Sequence, residues 1–72
     1  MKFQRIFIDN DIYIDILPAS NDDNTQEFWM HSINNACSLF MFGVPNTNDD
    51  ELKQLAMSNA PLYANDLLNL IK

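Results

Sequence analysis

The sequence predicts an α+β fold: an N-terminal two-stranded antiparallel hairpin packed on two or three α-helices. Three observations predict it. Residues 3–8 and 12–17 are rich in Ile, Phe and Tyr and flank the turn-forming run Asp9-Asn10-Asp11. Residues 25–42 carry apolar side chains at helical spacing. Residues 48–72 hold two more stretches of that spacing, divided by Pro61. Seventy-two residues make one domain, 1–72. A chain this short buries only about 60% of its unfolded surface, so a bound partner or a second copy would help it.

In the hairpin, Ile6 and Ile8 point one way, and Ile12, Ile14 and Ile16 form the matching face of the second strand. The other face carries Phe3, Arg5, Phe7, Tyr13, Asp15 and Leu17. It is half aromatic, so it is either covered or exposed as an interface. An isolated hairpin is not stable in water, so helices must pack on it. Pro18 ends the second strand, and residues 18–24 read as a polar loop.

Asn24 or Thr25 can cap the first helix, with Glu27 at the capping-box position if Asn24 is the N-cap. That helix is expected from about residue 25 to about residue 42. Trp29, Ile33, Ala36, Cys37 and Phe40 fall on one stripe, with Met30 and Met41 at its margins. Phe28, Leu39 and Phe42 lie opposite, as suits a helix sandwiched between hairpin and C-terminal helices. A third strand over Ser38–Val44 is the alternative, because periodicity does not resolve a short apolar run. Gly43 sits where a helix C-cap would need it, two residues before Pro45.

Thr47 or Asn48 starts the next helix. Asp49, Asp50 and Glu51 then fill its first turn, where carboxylates complement the helix dipole. Leu52, Leu55, Ala56 and Asn59 share a face. Pro61 breaks this helix or opens another at its first position. Ala64, Leu67, Leu68 and Ile71 form the apolar stripe of the last one.

Charge is one-sided. The net charge is −6, and nine of the ten acidic residues fall between Arg5 and Lys53, a stretch with no lysine or arginine. The other basic residues are Lys2 and Lys72. Such a chain disfavours nucleic acid and anionic lipid and favours a basic protein partner. Turn and helix-start chemistry accounts for where most acids lie. It does not account for the missing lysines, since small protein surfaces ordinarily mix both signs.

Specific chemistries fare poorly. Asp9, Asp11 and Asp15 have the start of a calcium loop, but the fifth, sixth and twelfth positions are Tyr13, Ile14 and Ser20, where an oxygen ligand, Gly and Glu are needed. One His and one Cys cannot close a zinc site. His31 reads as a surface residue and Cys37 as a small core residue. The acids fall in wet turns rather than a cleft, and a single glycine builds no phosphate loop. The expectation is a protein that is not an enzyme and uses no cofactor. A helix-turn-helix reading fails because residues 48–72 hold only Lys53 and Lys72 as cations. The lone cysteine, the short apolar run at the N-terminus and the lack of a membrane-length apolar segment point to the cytoplasm.

Two segments resemble small accessory proteins encoded by tailed phages and prophages. Ile33-Asn34-Asn35-Ala36-Cys37, followed by Gly43-Val44-Pro45 and Asp50-Glu51-Leu52, is similar to a stretch of such proteins. So is Leu55-Ala56-Met57-Ser58-Asn59-Ala60-Pro61-Leu62 with Leu67-Leu68 after it. The resemblance covers roughly the C-terminal half and implies an origin in a mobile element.

Two functional expectations follow. The first is an acidic interaction module, such as a phage inhibitor of host defence, that occupies a basic, nucleic-acid-binding groove of a host protein. Its contacts would be Asp9, Asp11, Asp22, Asp23, Asp49, Asp50 and Glu51. The second is a structural module with an apolar homodimer interface. That interface would use Phe3, Phe7, Tyr13 and Leu17 of the hairpin, or Phe28, Leu39 and Phe42 of the helix, or an edge strand paired across a two-fold axis.

Overall fold

The computed structural model describes residues 3–20 and 22–71, so Met1, Lys2, Asn21 and Lys72 lie outside the described residues. The chain forms β1 (Gln4–Phe7), β2 (Ile12–Ile16), β3 (Thr25–Ser32), β4 (Cys37–Pro45) and α1 (Asp49–Ile71). The strands make one antiparallel sheet in the order β1-β2-β3-β4, and α1 packs on one face of it. The expected two-stranded hairpin with two or three helices is therefore corrected to a four-stranded meander with a single helix.

The first hairpin forms where the sequence places it. Gln4, Arg5, Ile6 and Phe7 pair with Ile16, Asp15, Ile14 and Tyr13. Its turn is held by Asp9, whose Oδ1 accepts the amides of Asp11 at 2.8 Å and Ile12 at 2.9 Å. This is the usual way an aspartate closes a turn on its own backbone.

The helix expected over residues 25–42 is instead β3, a turn and β4. Thr25–Ser32 satisfies a strand better than a helix. Phe28, Met30 and Ser32 are buried while Glu27, Trp29 and His31 alternate with them on the opposite face. Asn24 does not cap a helix either. Its φ of 55° puts it in the left-handed region, whereas an N-cap is extended. Residues 33–36 form the β3–β4 turn, with Ala36 at φ 49°. Ile33 and Ala36 are thus at a turn tip, and Trp29 and Phe40 become cross-strand partners. The alternative strand over Ser38–Val44 is the one that forms. Gly43 is no C-cap but lies within β4, where an added Cβ would meet the Thr25 methyl at 3.0 Å.

Register explains the core. On the helix side, one row runs Gln4, Ile16, Phe28, Phe42 and the next runs Ile6, Ile14, Met30, Leu39. Leu52, Ala56, Ala60 and Leu67 of α1 seal these rows. Phe28 and Phe42 stack with centroids 4.6 Å apart, and Tyr63 meets Phe42 at 6.0 Å. A register shift between Phe28 and Trp29 leaves Met41 as an extra residue of β4, a bulge that bends the edge strand.

The helices expected on either side of Pro61 are one, Asp49–Ile71. A proline in a helix interior costs about 3 kcal/mol. It is carried here because buried residues on both sides of it, Ala60 and Leu67, anchor the same stripe to the sheet. Asn48 is the N-cap: its Oδ1 accepts the Glu51 amide at 2.9 Å. The helix crosses the sheet from β1 to β4. Gln4 Nε2 of β1 donates to Asp49 at its start, 3.0 Å away, while Tyr63 lies over β4. No helix among the described residues is long and apolar enough to cross a membrane.

Candidate functional site

The face of the sheet turned away from α1 is the candidate site. Two cross-strand rows define it. One is Arg5, Asp15, Trp29, Phe40, and the other is Phe7, Tyr13, His31, Ser38. Period-2 alternation in all four strands puts these side chains together, because their neighbours along each strand fill the helix side. Phe7 is 61% exposed, Phe3 51% and Phe40 46%.

Aromatic contacts run across the whole face. Phe7 and Tyr13 are 5.7 Å apart, Tyr13 and His31 stack at 4.8 Å, and Trp29 meets Phe40 edge-on at 5.3 Å. The Arg5 guanidinium lies over Tyr13 at 4.4 Å and over Phe3 at 5.2 Å, in cation–π geometry.

Arg5 and Asp15 on this face are paired with each other. Asp15 is only 7% exposed and accepts both arms of Arg5, Nε at 2.8 Å and Nη2 at 3.0 Å. The same hydrogen bonds raise the Arg5 pKa still further and fix its positive charge. His31 Nε2 is 3.4 Å from Asp15 Oδ2, and His31 Nδ1 is 2.7 Å from Ser38 Oγ. With Nε2–H toward the carboxylate, Nδ1 is free to accept the Ser38 hydroxyl proton. Glu27, the remaining carboxylate here, accepts the Trp29 indole N–H at 2.9 Å.

Serine, imidazole and carboxylate in line are the elements of acyl-transfer catalysis. Here Arg5 claims both oxygens of the carboxylate, and the face is open to water rather than enclosed. The line orders a flat surface. Among the described residues, no three His, Cys, Asp or Glu side chains gather as a metal site requires.

The acids predicted to contact a partner divide between two ends of the sheet. Asp9 and Asp11 are at the β1–β2 turn. Asp22 and Asp23 in the β2–β3 loop, and Asp49, Asp50 and Glu51 at the start of α1, are at the other end. The Asn46 amide donating to the Asn24 carbonyl at 2.9 Å ties the latter two groups together. Strand β3, eight residues long, separates the ends by about 26 Å at 3.3 Å per residue. The seven acids therefore share no single surface.

Several of them also hold the fold. Asp11 accepts the Ser32 hydroxyl at 2.9 and 3.1 Å and the Asn34 amide at 2.7 Å, stapling the two hairpin turns together. Asp23 accepts the Ser20 hydroxyl and the Thr25 amide. Glu51 accepts the Thr47 hydroxyl at 2.8 Å. These donors favour the ionised carboxylates, so the pKa values of Asp9, Asp23 and Glu51 are lowered. The leading causes are the Ile12 amide, the Ser20 hydroxyl and the Thr47 hydroxyl respectively.

Of the apolar residues predicted for an interface, Phe3, Phe7, Tyr13 and Leu17 are on the hairpin, and Phe7 and Tyr13 lie within the open face. Phe28 is fully buried, while Leu39 and Phe42 are half-buried on the helix side, so the second set belongs to the core. The helical reading missed Trp29, His31, Ser38 and Phe40 as members of the face. The alternation Glu27, Trp29, His31 against Phe28, Met30, Ser32 was the signal that could have found the first two. Cys37 is half-buried at the start of β4.

Comparison of the chain with protein-family models, curated proteins and solved structures returns no match.

Proposed function

We propose that this chain is an acidic protein-interaction module, an inhibitor of mobile-element origin, that seats its open aromatic sheet face on a basic host protein. The observation that carries this reading is the face itself: aromatics on all four strands, Phe7 and Phe40 exposed and Tyr13 and Trp29 half-buried between them, with Arg5 and Asp15 bound to each other and His31 beside them. Arg5 and Asp15 lose little on desolvation because they are already paired, and the face supplies aromatic anchors of the type that dominate binding energy. The acidic ends of the sheet form a rim. Asp22, Asp49 and Asp50 there would steer a cationic partner and set its orientation more than they add affinity.

The aromatic face also has the look of a base-stacking platform. Its one lysine or arginine among the described residues, Arg5, is bound to Asp15, and the chain carries a net charge of −6. Phosphate would find repulsion, so a protein partner is favoured over nucleic acid.

The test is calorimetric titration of purified basic, nucleic-acid-binding host proteins at low and high salt. Wild type is compared with the pair Phe7→Asp/Phe40→Asp and with the pair Asp22→Lys/Asp50→Lys. The face variant is expected to lose binding, and the rim variant to bind more weakly with a shallower salt dependence. A partner that binds both variants as well as wild type refutes the reading.

A further inference from the structure

The open face carries one combination of side chains twice. On β2, Tyr13 and Asp15 stand two residues apart on the same side of the strand, and on β3 Glu27 and Trp29 do the same. Each time a carboxylate lies beside an aromatic ring. The first pair is completed within the chain. Arg5 donates Nε and Nη2 to Asp15 at 2.8 and 3.0 Å, and its guanidinium lies 4.4 Å from the centre of the Tyr13 ring.

The second pair has no such cation. Glu27 Oε1 accepts the Trp29 indole N–H at 2.9 Å, which holds the carboxylate beside the ring. Among the described residues Glu27 makes no ion pair, and its Oε2 accepts no hydrogen bond. The sequence accounts for this, because β2, β3, β4 and the loops between them hold no lysine or arginine. His31, two residues beyond Trp29, is turned to Asp15 and Ser38 instead. The Glu27 carboxylate is also reachable. It is exposed, and its cross-strand neighbour on β4 is Gly43, so no β4 side chain lies across it. Phe40, edge-on to Trp29 at 5.3 Å and 46% exposed, adds an aromatic wall on that side.

We infer that the partner of this face presents an arginine side chain to Glu27 and Trp29, repeating across the interface the contact that Arg5 makes with Asp15 and Tyr13. This rests on the reading of the face as a protein-binding surface and names the group the partner brings to it. Arginine fits better than lysine. A planar guanidinium bonds a carboxylate in its own plane while it stacks on a ring, whereas an ammonium is a more strongly hydrated point charge. The surroundings favour a cation too. Glu27 lies toward the sheet end that carries Asp22, Asp23, Asp49 and Asp50, whose field attracts positive charge.

The test follows the fluorescence of Trp29, the single tryptophan of the chain, while the intact protein is titrated with short peptides. The probes are acetyl-Gly-Arg-Gly-amide and its lysine and citrulline counterparts. The arginine peptide is expected to give a saturable change. Citrulline keeps the shape and loses the charge, and is expected to bind at least about tenfold more weakly. Lysine is expected to bind at least about threefold more weakly. Glu27→Gln keeps an oxygen for the Trp29 indole but removes the charge, and should weaken the arginine peptide about tenfold without lowering Tm. Asp66→Asn removes an equal charge from an exposed position on α1, across the sheet, and should bind within about twofold of wild type. No saturable response to the arginine peptide overturns the inference. So does equal binding of the three peptides, a Glu27→Gln variant that binds like wild type, or an Asp66→Asn variant that loses as much as Glu27→Gln. Host proteins that bind while the peptides fail leave the protein-binding face standing and remove only the arginine.

Discussion

Asp11→Ala separates a structural carboxylate from a partner-binding one. Asp11 receives two donors, the Ser32 hydroxyl and the Asn34 amide. Hydrogen bonds to a charged group contribute about 1.5–3 kcal/mol each when water cannot replace them. Asn34 is exposed, so water takes over most of its share. Ser32 is only 3% exposed, and its hydroxyl still accepts from Asn35 but would have nothing to donate to. The loss should therefore be about 2–3 kcal/mol, mostly the penalty of that unsatisfied hydroxyl. In a domain of this size each kcal/mol moves Tm by about 4–8 °C, so a drop of about 10–20 °C is expected. The assay is thermal unfolding followed by circular dichroism, with Asp22→Ala as the control. Asp22 is exposed and accepts no hydrogen bond among the described residues, so its removal should change stability by no more than about 0.5 kcal/mol. If Asp11→Ala melts within about 2 °C of Asp22→Ala, the staple between the turns does not work as described.

Two more outcomes are expected. Phe28→Ala should cost about 3–5 kcal/mol and leave the chain largely unfolded, whereas Phe7→Ala should be nearly neutral, as urea titration would register; equal losses would contradict the assignment of the two sheet faces. Asp9, Asp23 and Glu51 have folded-state pKa values below their ordinary 3.8, 3.8 and 4.5. They therefore favour folding above those values, and that contribution is lost as pH falls through the folded-state values. The urea midpoint should be flat from neutrality to about pH 5 and then fall, and the variant Asp9→Asn/Asp23→Asn/Glu51→Gln should show a shallower fall; an unchanged slope would remove these groups from the account.

Local chemistry made part of this molecule legible. Asp9-Asn10-Asp11 between two Ile-rich runs is turn chemistry wherever it occurs, and the first hairpin follows from it. Alternation within that hairpin also separated its two faces, including the aromatic side with Arg5 and Asp15. Thr47 or Asn48 ahead of three acids marked the start of α1, and the structure makes Asn48 the cap. Each of these signals is complete within a few residues, so no distant partner is needed to read it.

Residues 25–42 were different, because Trp29, Ile33, Ala36, Cys37 and Phe40 fit a helical stripe while Phe28, Met30 and Ser32 fit a strand face. The choice was made by β2. Its Ile14 and Ile16 offer ladder partners and an apolar surface to Met30 and Phe28, and a helix there would leave β2 without that neighbour. Pro61 was likewise ambiguous until burial of Ala60 and Leu67 against one sheet held both halves of α1 in line. The acids show the same division. Their number, and the absence of lysine among them, belong to the sequence, but their separation to opposite ends of the sheet follows from strand pairing. The sequence by itself determined the first hairpin turn, the start of α1 and the charge. The tertiary structure decided strand against helix and the gathering of Trp29, His31 and Phe40 with the hairpin aromatics, because long-range pairing and burial outweigh local periodicity when a segment satisfies two periods at once.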